Sequence, residues 1–247
     1  MNISDAERRE WAQQIEDHLR AAGKPERAEK EKQYLKSSLD FLGASVPQIR
    51  KTARALVRRQ RLGIDAQRAL ARELWRRPIH ECRSAAVEVL GFDLSRLEPS
   101  DLAGIEEWIR QAKTWALVDP LAINLAGDVL ERHPDELSIL DRWSTDGDFW
   151  IRRSALLALL RPLRRGEGDF ERFVRYADSM LEEKEFFIRK AIGWVLREVS
   201  KTRPELVDDY VAKRVDRVSG VTIREAVKYL PADRRDGLLL AYRARRR

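Results

Sequence analysis

The chain has 247 residues and a formal net charge of +7, and 43% of its residues are hydrophobic. That apolar content is enough for a continuous core, which excludes a globally disordered chain. Its one cysteine excludes an internal disulfide, and its three dispersed histidines exclude a Cys/His metal centre. The basic excess favours a polyanionic partner, either nucleic acid or an acidic membrane surface, with a merely solvated arginine-rich surface as the alternative.

The first predicted element is a helix over residues 4–22, which we expect to cap the fold. Ser4 and Glu7 have the spacing of a capping box, and Trp11 and Ile15 recur on one helical face. The N-terminus lacks the apolar segment of a secretory signal, and no run of 18 apolar residues occurs in the chain. We therefore expect a soluble, cytoplasmic protein without membrane contact.

Further along the chain, a helix-start signal recurs about every 35 residues. Proline is common in the first turn of a helix, because the N–H group that it lacks would have no hydrogen-bond partner there. The signals are GIDAQRAL at Asp65, LEPSDL at Pro99, RHPDEL at Pro134, GEGDF at Asp169 and TRPEL at Pro204. A regular interval of this kind is typical of a repeat protein.

A second signal with the same period opens the other helix of each unit. It occurs as IRKTA at Ile49, CRSAA at Cys82, LVDPL at Leu117, IRRSA at Ile151, IRKAI at Ile188 and IREAV at Ile223. Each unit is then a helical hairpin, or a three-helix variant, that buries a core only by stacking on its neighbours. We predict an all-α, right-handed type of α-solenoid with about six HEAT-like repeats. It forms a single domain over residues 1–247, with 243–247 as a frayed basic tail.

Five of the six units place an arginine at the second position of that signal. These residues are Arg50, Arg83, Arg152, Arg189 and Arg224, and Val118 is the exception. A row of guanidiniums at hairpin spacing can follow a phosphate backbone, which predicts a basic concave face that binds duplex DNA. The alternative is a ladder of salt bridges between repeats.

The third unit departs from this pattern at Val118, and at the next position it has Asp119 where later units have Arg153 and Lys190. Trp115 precedes Asp119 by four residues, so both side chains share one face if the segment is helical. An indole can stack on a cationic base, and a carboxylate can oppose positive charge that develops on a sugar. Two alternatives stay open: Asp119 caps a helix that begins at Pro120, and Trp115 is an ordinary core residue.

Five segments carry a resemblance to a known family. They are DFLGASVPQIRK at 40–51, RELWRRP at 72–78, TWALVDPL at 114–121, FWIRRSA at 149–155 and FFIRKAIGWVLRE at 186–198. The chain resembles the AlkD-type alkylpurine DNA glycosylases, which are built from HEAT-like repeats. The resemblance covers about residues 20 to 230, and the last segment is its longest and most specific part.

The resemblance implies roles for individual residues. Asp119 corresponds to the catalytic aspartate of the family, and Trp115 begins the same Trp-x-x-x-Asp pattern. Arg153 corresponds to an essential arginine that binds phosphate beside the lesion. Trp194 and Tyr34 correspond to further rings of the active cleft. The predicted set of DNA-binding residues is completed by Pro47, Arg152, Arg189, Lys190 and Arg197.

The implied activity is removal of N3- or N7-alkylated purines from duplex DNA by a monomeric, monofunctional glycosylase that needs no cofactor or metal. Ala116 stands where the family often has an acidic residue, and Ser45 and Val46 stand where a longer polar residue and a threonine are expected. The preferred lesion and the preferred base opposite it therefore stay open. The alternatives are a non-catalytic binder of damaged or branched DNA on this fold and a protein-binding HEAT scaffold.

Overall fold

The computed structural model describes residues 3–245, and its regular structure within that range is helical. The described residues contain no strand beyond a single parallel bridge between Asp40 and Ile79. None of the helices in this range has the length and apolarity needed to cross a membrane. The predicted all-α class is confirmed.

The chain divides into two compact units, Met1–Leu125 and Ala126–Arg247. The N-terminal unit contains α1 (Asp5–Ala22), α2 (Pro25–Leu35), α3 (Val46–Arg59), α4 (Ile64–Trp75), α5 (His80–Leu90), α6 (Leu102–Ala112) and α7 (Trp115–Pro120). The C-terminal unit contains α8 (Gly127–Arg132), α9 (Ser138–Trp143), α10 (Phe149–Ala158), α11 (Leu160–Arg164), α12 (Phe170–Met180), α13 (Phe186–Val199), α14 (Pro204–Ala212), α15 (Gly220–Ala226) and α16 (Ala232–Ala244). A single domain over residues 1–247 stays a prediction.

The recurring helix-start signals lie where helices begin. Pro204 is the first residue of α14, and Asp169 caps α12 by accepting a hydrogen bond from the backbone N–H of Arg172 at 2.8 Å. Pro99 and Pro134 each open a short 3-10 turn that leads into α6 and α9. Because capping and proline effects act within a few residues, these helix starts could be predicted from the sequence.

The second signal lies in the first turns of α3, α5, α7, α10, α13 and α15, and its apolar position is buried, as at Ile151 and Ile188. Successive helices of this type pack directly on each other within the C-terminal unit. A Cβ at Gly193 would lie 2.7 Å from the Cβ of Glu225 and 2.9 Å from the carbonyl oxygen of Thr222. Only glycine allows α13 and α15 to approach this closely.

The two ends of the described chain are helical. The helix predicted over residues 4–22 runs from Asp5 to Ala22. Its capping box is present, since Ser4 and Glu7 each accept a hydrogen bond from the other's backbone N–H. At the other end, α16 continues to Ala244, two residues into the tail predicted to be frayed. The last two residues of that tail lie outside the described residues.

Candidate functional site

Helix α7 carries both Trp115 and Asp119, one helical turn apart and on the same face. The N-terminal cap of α7 is Thr114, so Asp119 lies inside the helix. The alternative that Asp119 caps a helix beginning at Pro120 is therefore wrong. Asp119 is buried, with 8% of its surface exposed, whereas Trp115 is half-buried. One helical face thus carries a carboxylate withdrawn from water and an indole that still meets solvent.

The turn after Asp119 is irregular because of Pro120. A proline inside a helix removes an N–H donor and clashes with the carbonyl group four residues earlier. The chain continues from Pro120 as a π-helix over Leu121–Ala126. π-Helical turns occur frequently at functional sites. The distortion therefore lies within the one unit that departs from the arginine pattern.

Tyr34 on α2 lies against Trp115. The two ring centroids are 6.2 Å apart and the ring planes are nearly perpendicular, which is a favourable edge-to-face arrangement. Tyr34 is 72% exposed, and α2 buries none of its residues. Trp115 is half-buried beside an exposed ring, so part of it is accessible to a ligand, and the alternative that it is an ordinary core residue stays open. Two residues predicted for the cleft are therefore in contact.

Pro47 lies in the first turn of α3, whose N-terminal cap is Ser45. The Ser45 hydroxyl accepts a hydrogen bond from the backbone N–H of Gln48, and the Gln48 side chain accepts one from the backbone N–H of Ser45 at 2.7 Å. Pro47 and Val46 are both exposed. A helix start with an intact capping box thus presents two apolar side chains to solvent.

The segment that leads to α3 is clamped onto the start of α5. The Glu81 carboxylate accepts hydrogen bonds from the backbone N–H groups of Leu42 at 3.0 Å and Gly43 at 2.6 Å. Phe41 stacks on His80 with 4.7 Å between the ring centroids. Burial raises the pKa of the Glu81 carboxyl, although the two backbone donors oppose that shift. This contact was not predicted from the sequence, where its signal is a glutamate inside the apolar segment HECRSAAVEVL.

His80 should make the stability of the protein depend on pH. Burial lowers the pKa of its imidazole from 6.5 to about 4. The unfolded chain therefore binds the proton more tightly, and the free energy of unfolding falls as the pH drops from 7 towards 4. At pH 5 the free energy of unfolding should be roughly 2 kcal/mol lower than at pH 7. Urea unfolding of the wild type and of His80→Gln between pH 7.5 and 5 measures this effect. An equal destabilisation of both proteins would contradict it.

In the C-terminal unit, Arg153 is buried on α10 with 3% of its surface exposed. Its Nη1 donates a hydrogen bond to the carbonyl oxygen of Phe187 at 2.5 Å, and its guanidinium carbon lies 5.9 Å from the centroid of the Phe187 ring. Phe187 packs in turn against Phe149 and Trp150. The neighbouring hairpin therefore holds the guanidinium of Arg153 in a defined position.

Trp194 is half-buried on α13, with Lys190 one turn before it and Arg197 just after it. Both cations form ion pairs with Glu225 of α15. Burial raises the pKa of the Glu225 carboxyl, but the two cations outweigh that effect, and the pKa lies below its usual range. The carboxylate of Glu225 thus partly neutralises both cations that flank Trp194.

A family model described as "DNA alkylation repair enzyme" matches residues 15–230. The chain belongs to the DNA alkylation repair enzyme family. Among solved structures, a "Predicted DNA alkylation repair enzyme from Enterococcus faecalis" is similar to it, with 25% sequence identity and a TM-score of 0.76. That match covers 85% of this chain and 97% of the other. A search of curated proteins found no match.

Membership in the DNA alkylation repair enzyme family confirms the resemblance found in the sequence at the level of fold and of repair of alkylated DNA. The specific roles implied for Asp119, Trp115 and Arg153 stay predictions. The structure places Asp119, Trp115, Tyr34 and Pro47 in the N-terminal unit. Arg153, Trp194 and the remaining predicted DNA-binding residues belong to the C-terminal unit.

The arginine row of this DNA alkylation repair enzyme forms contacts between successive hairpins. Arg50 pairs with Glu88 at 3.0 Å, and Arg152 donates two hydrogen bonds to the Glu183 carboxylate at 3.0 and 2.7 Å. Arg152 also donates to the carbonyl oxygen of Asp146 at 2.6 Å. The alternative interpretation, salt bridges between repeats, is confirmed at these two positions. Phosphate binding by Arg152 stays a prediction, and it would have to compete with Glu183.

The last two arginines of the row are not paired in this way. Arg189 donates its Nε hydrogen bond to the carbonyl oxygen of Glu183 at 2.6 Å. Arg224 forms no ion pair with any residue from 3 to 245. A carbonyl group carries no net charge, so within this range both arginines retain a full positive charge that no carboxylate offsets.

Proposed function

We propose that this DNA alkylation repair enzyme is a monofunctional DNA glycosylase. It hydrolyses the N-glycosidic bond of N3- or N7-alkylated purines in duplex DNA and leaves an abasic site in an intact strand. The observation that carries the proposal is the arrangement on α7, where buried Asp119 and half-buried Trp115 share one helical face in a chain of this family.

The chemistry follows from the charge of the substrate. Alkylation at N3 or N7 places a positive charge on the purine, so the electron pair of the glycosidic bond can leave with the base and neutralise it. The sugar then becomes oxocarbenium-like, as in glycoside hydrolysis. Asp119 stabilises this cation and can align the attacking water or accept its proton. Because Asp119 is withdrawn from bulk water, its charge acts on the sugar with less screening.

Aromatic side chains provide selectivity for the damaged base. A cation over the face of an indole gains about 0.5–2 kcal/mol. Trp115 and Trp194 are both half-buried, so each has ring surface open to a ligand. Tyr34, which lies edge-on to Trp115, is largely exposed as well. An undamaged purine carries no charge and obtains no such gain, which favours excision of alkylated bases.

Arg153 binds a DNA phosphate in this proposal. Only 3% of its surface is exposed, so the phosphate must reach a guanidinium that the carbonyl group and the ring of Phe187 hold in place, which keeps the cost in side-chain entropy small. The planar guanidinium also matches the geometry of a phosphate. The enzyme acts as a monomer, and it needs no cofactor because the alkylated base is already a good leaving group. Strand cleavage is not expected, because no lysine nucleophile takes part in this mechanism.

The test is incubation of the protein with a duplex that carries one N7-methylguanine, beside the same duplex without the lesion. Free N7-methylguanine should appear from the alkylated duplex only. Binding of the alkylated duplex without release of base would instead support a non-catalytic binder of damaged DNA. Failure to bind either duplex would support a protein-binding scaffold.

A further inference from the structure

Three arginines from different elements of the C-terminal unit line one cavity of about 440 Å³. They are Arg189 of α13, Arg217 of the turn before α15, and Arg224 of α15. Among the described residues, the only carboxylate in the lining is Glu182. Three guanidiniums against one carboxylate give the cavity an excess of positive charge.

The partners of these arginines determine how much of that charge is available. Arg217 donates its Nε hydrogen bond to the Glu182 carboxylate at 2.7 Å, so its charge is largely offset. The Arg189 guanidinium donates to the uncharged carbonyl oxygen of Glu183, and Arg224 has no ion pair within the described part of the chain. The available positive charge therefore lies on Arg189 and Arg224, which are members of the arginine row.

The cavity is open to solvent at two of its arginines. Arg217 and Arg224 are exposed, so a ligand reaches both guanidiniums from solvent. Gly220 provides the space at the base of the cavity. A Cβ there would lie 3.1 Å from Nη1 of Arg224 and 3.1 Å from the hydroxyl oxygen of Tyr242. An open, cationic cavity with forked N–H donors matches a phosphodiester better than an apolar ligand.

We propose that Arg189 and Arg224, in the cavity that Arg217 also lines, form a phosphate-binding site that holds one phosphodiester of the DNA backbone. This inference rests on the proposed function, because it assumes that the natural ligand is duplex DNA. It also revises the prediction from the sequence. Phosphate binding in the C-terminal unit concentrates where the row lacks carboxylate partners, instead of being spread evenly along it.

The salt dependence of DNA binding tests the site. Each phosphate that the protein neutralises contributes about −0.9 to the slope of log K against log salt concentration. Arg224→Gln should therefore make the slope shallower by about 0.9 on undamaged duplex of any sequence, and Arg224→Lys should largely restore it. The matched control is Arg234→Gln, because Arg234 lies outside the cavity and is paired with Asp208. An Arg224→Gln slope equal to that of the control would overturn the proposal.

A second measurement identifies the phosphate itself. Duplexes that carry one neutral methylphosphonate, placed at each position in turn, are titrated against the wild type and Arg224→Gln. One position should weaken wild-type binding severalfold and leave the variant unchanged, because the variant no longer binds that phosphate. Independent, additive effects at every position would contradict a shared interaction.

Inorganic phosphate distinguishes a DNA site from a site for a free anion. At constant ionic strength, inorganic phosphate should displace DNA no better than chloride does. Saturable binding of inorganic phosphate that needs Arg224 but does not displace DNA would assign the cavity to a free anion and overturn the DNA-backbone proposal. Release of N7-methylguanine is measured on the same proteins. Base release with an unchanged slope refutes this site alone, whereas a changed slope without base release refutes the glycosylase alone.

Discussion

An Asp119→Asn variant is expected to fold with an unchanged Tm, to bind undamaged duplex at least as tightly as the wild type, and to excise N7-methylguanine at least about 100-fold more slowly. Asparagine is nearly isosteric with aspartate but carries no charge, so it cannot stabilise an oxocarbenium-like sugar. Removal of a negative charge near DNA does not weaken binding. Since Asp119 lies inside α7 and does not occupy its N-cap position, asparagine at this position leaves the N-terminal cap of the helix unchanged.

Single-turnover release of N7-methylguanine, beside a thermal melt, measures this effect. Asp169→Asn is the matched control, because Asp169 caps α12 and asparagine caps helices about as well as aspartate. The control should retain both its activity and its Tm. Full activity in a well-folded Asp119→Asn protein would refute the proposed mechanism. Activity that disappears together with the folded state would leave Asp119 with a structural role only.

Trp115→Ala and Trp194→Ala should each slow excision roughly two- to thirty-fold, the equivalent of one cation–π interaction. Binding to undamaged duplex should change less, because an ordinary base carries no positive charge for the indole to attract. Both indoles are half-buried, so their truncation costs less stability than removal of a core tryptophan such as Trp143.

The two tryptophan variants are compared by single-turnover excision and by duplex binding, with a melt of each protein. Trp115→Phe and Trp194→Phe provide the conservative controls, and each should recover part of the rate because phenylalanine keeps an aromatic face. Equal reductions in excision and in binding would show that the indoles touch DNA without sensing the charge of the base. Unfolding of both alanine variants would assign the rings to packing.

The helix boundaries could be predicted from the sequence because they depend on neighbours within four residues. Pro204 and Asp169 begin helices for reasons that are local to the chain. The shared face of Trp115 and Asp119 followed from helical spacing alone. The capping role considered for Asp119 failed for a local reason as well. Thr114 occupies the N-cap position five residues earlier, and the chain continues past Pro120 as a π-helix.

The partners of charged residues could not be predicted, because they come from other hairpins. Glu183 lies 31 residues after Arg152 and accepts two of its hydrogen bonds. Glu81 lies almost 40 residues after the loop that it holds. A pattern of arginines shows that cations recur at one position, but their charge is available to DNA only where no carboxylate faces them. Arg152 faces the Glu183 carboxylate, whereas Arg224 has no ion pair among the described residues, and this difference can be seen only in the folded chain.

The fate of the alkylated base tests most directly whether this enzyme breaks the glycosidic bond. A duplex with one N7-methylguanine is treated with the protein, and both the released small molecules and the treated strand are analysed by mass spectrometry. We expect free N7-methylguanine and an equal amount of abasic site in an uncleaved strand. Recovery of ordinary guanine within the strand would contradict the proposed function, because it would mean that the alkyl group is removed and the glycosidic bond is never broken.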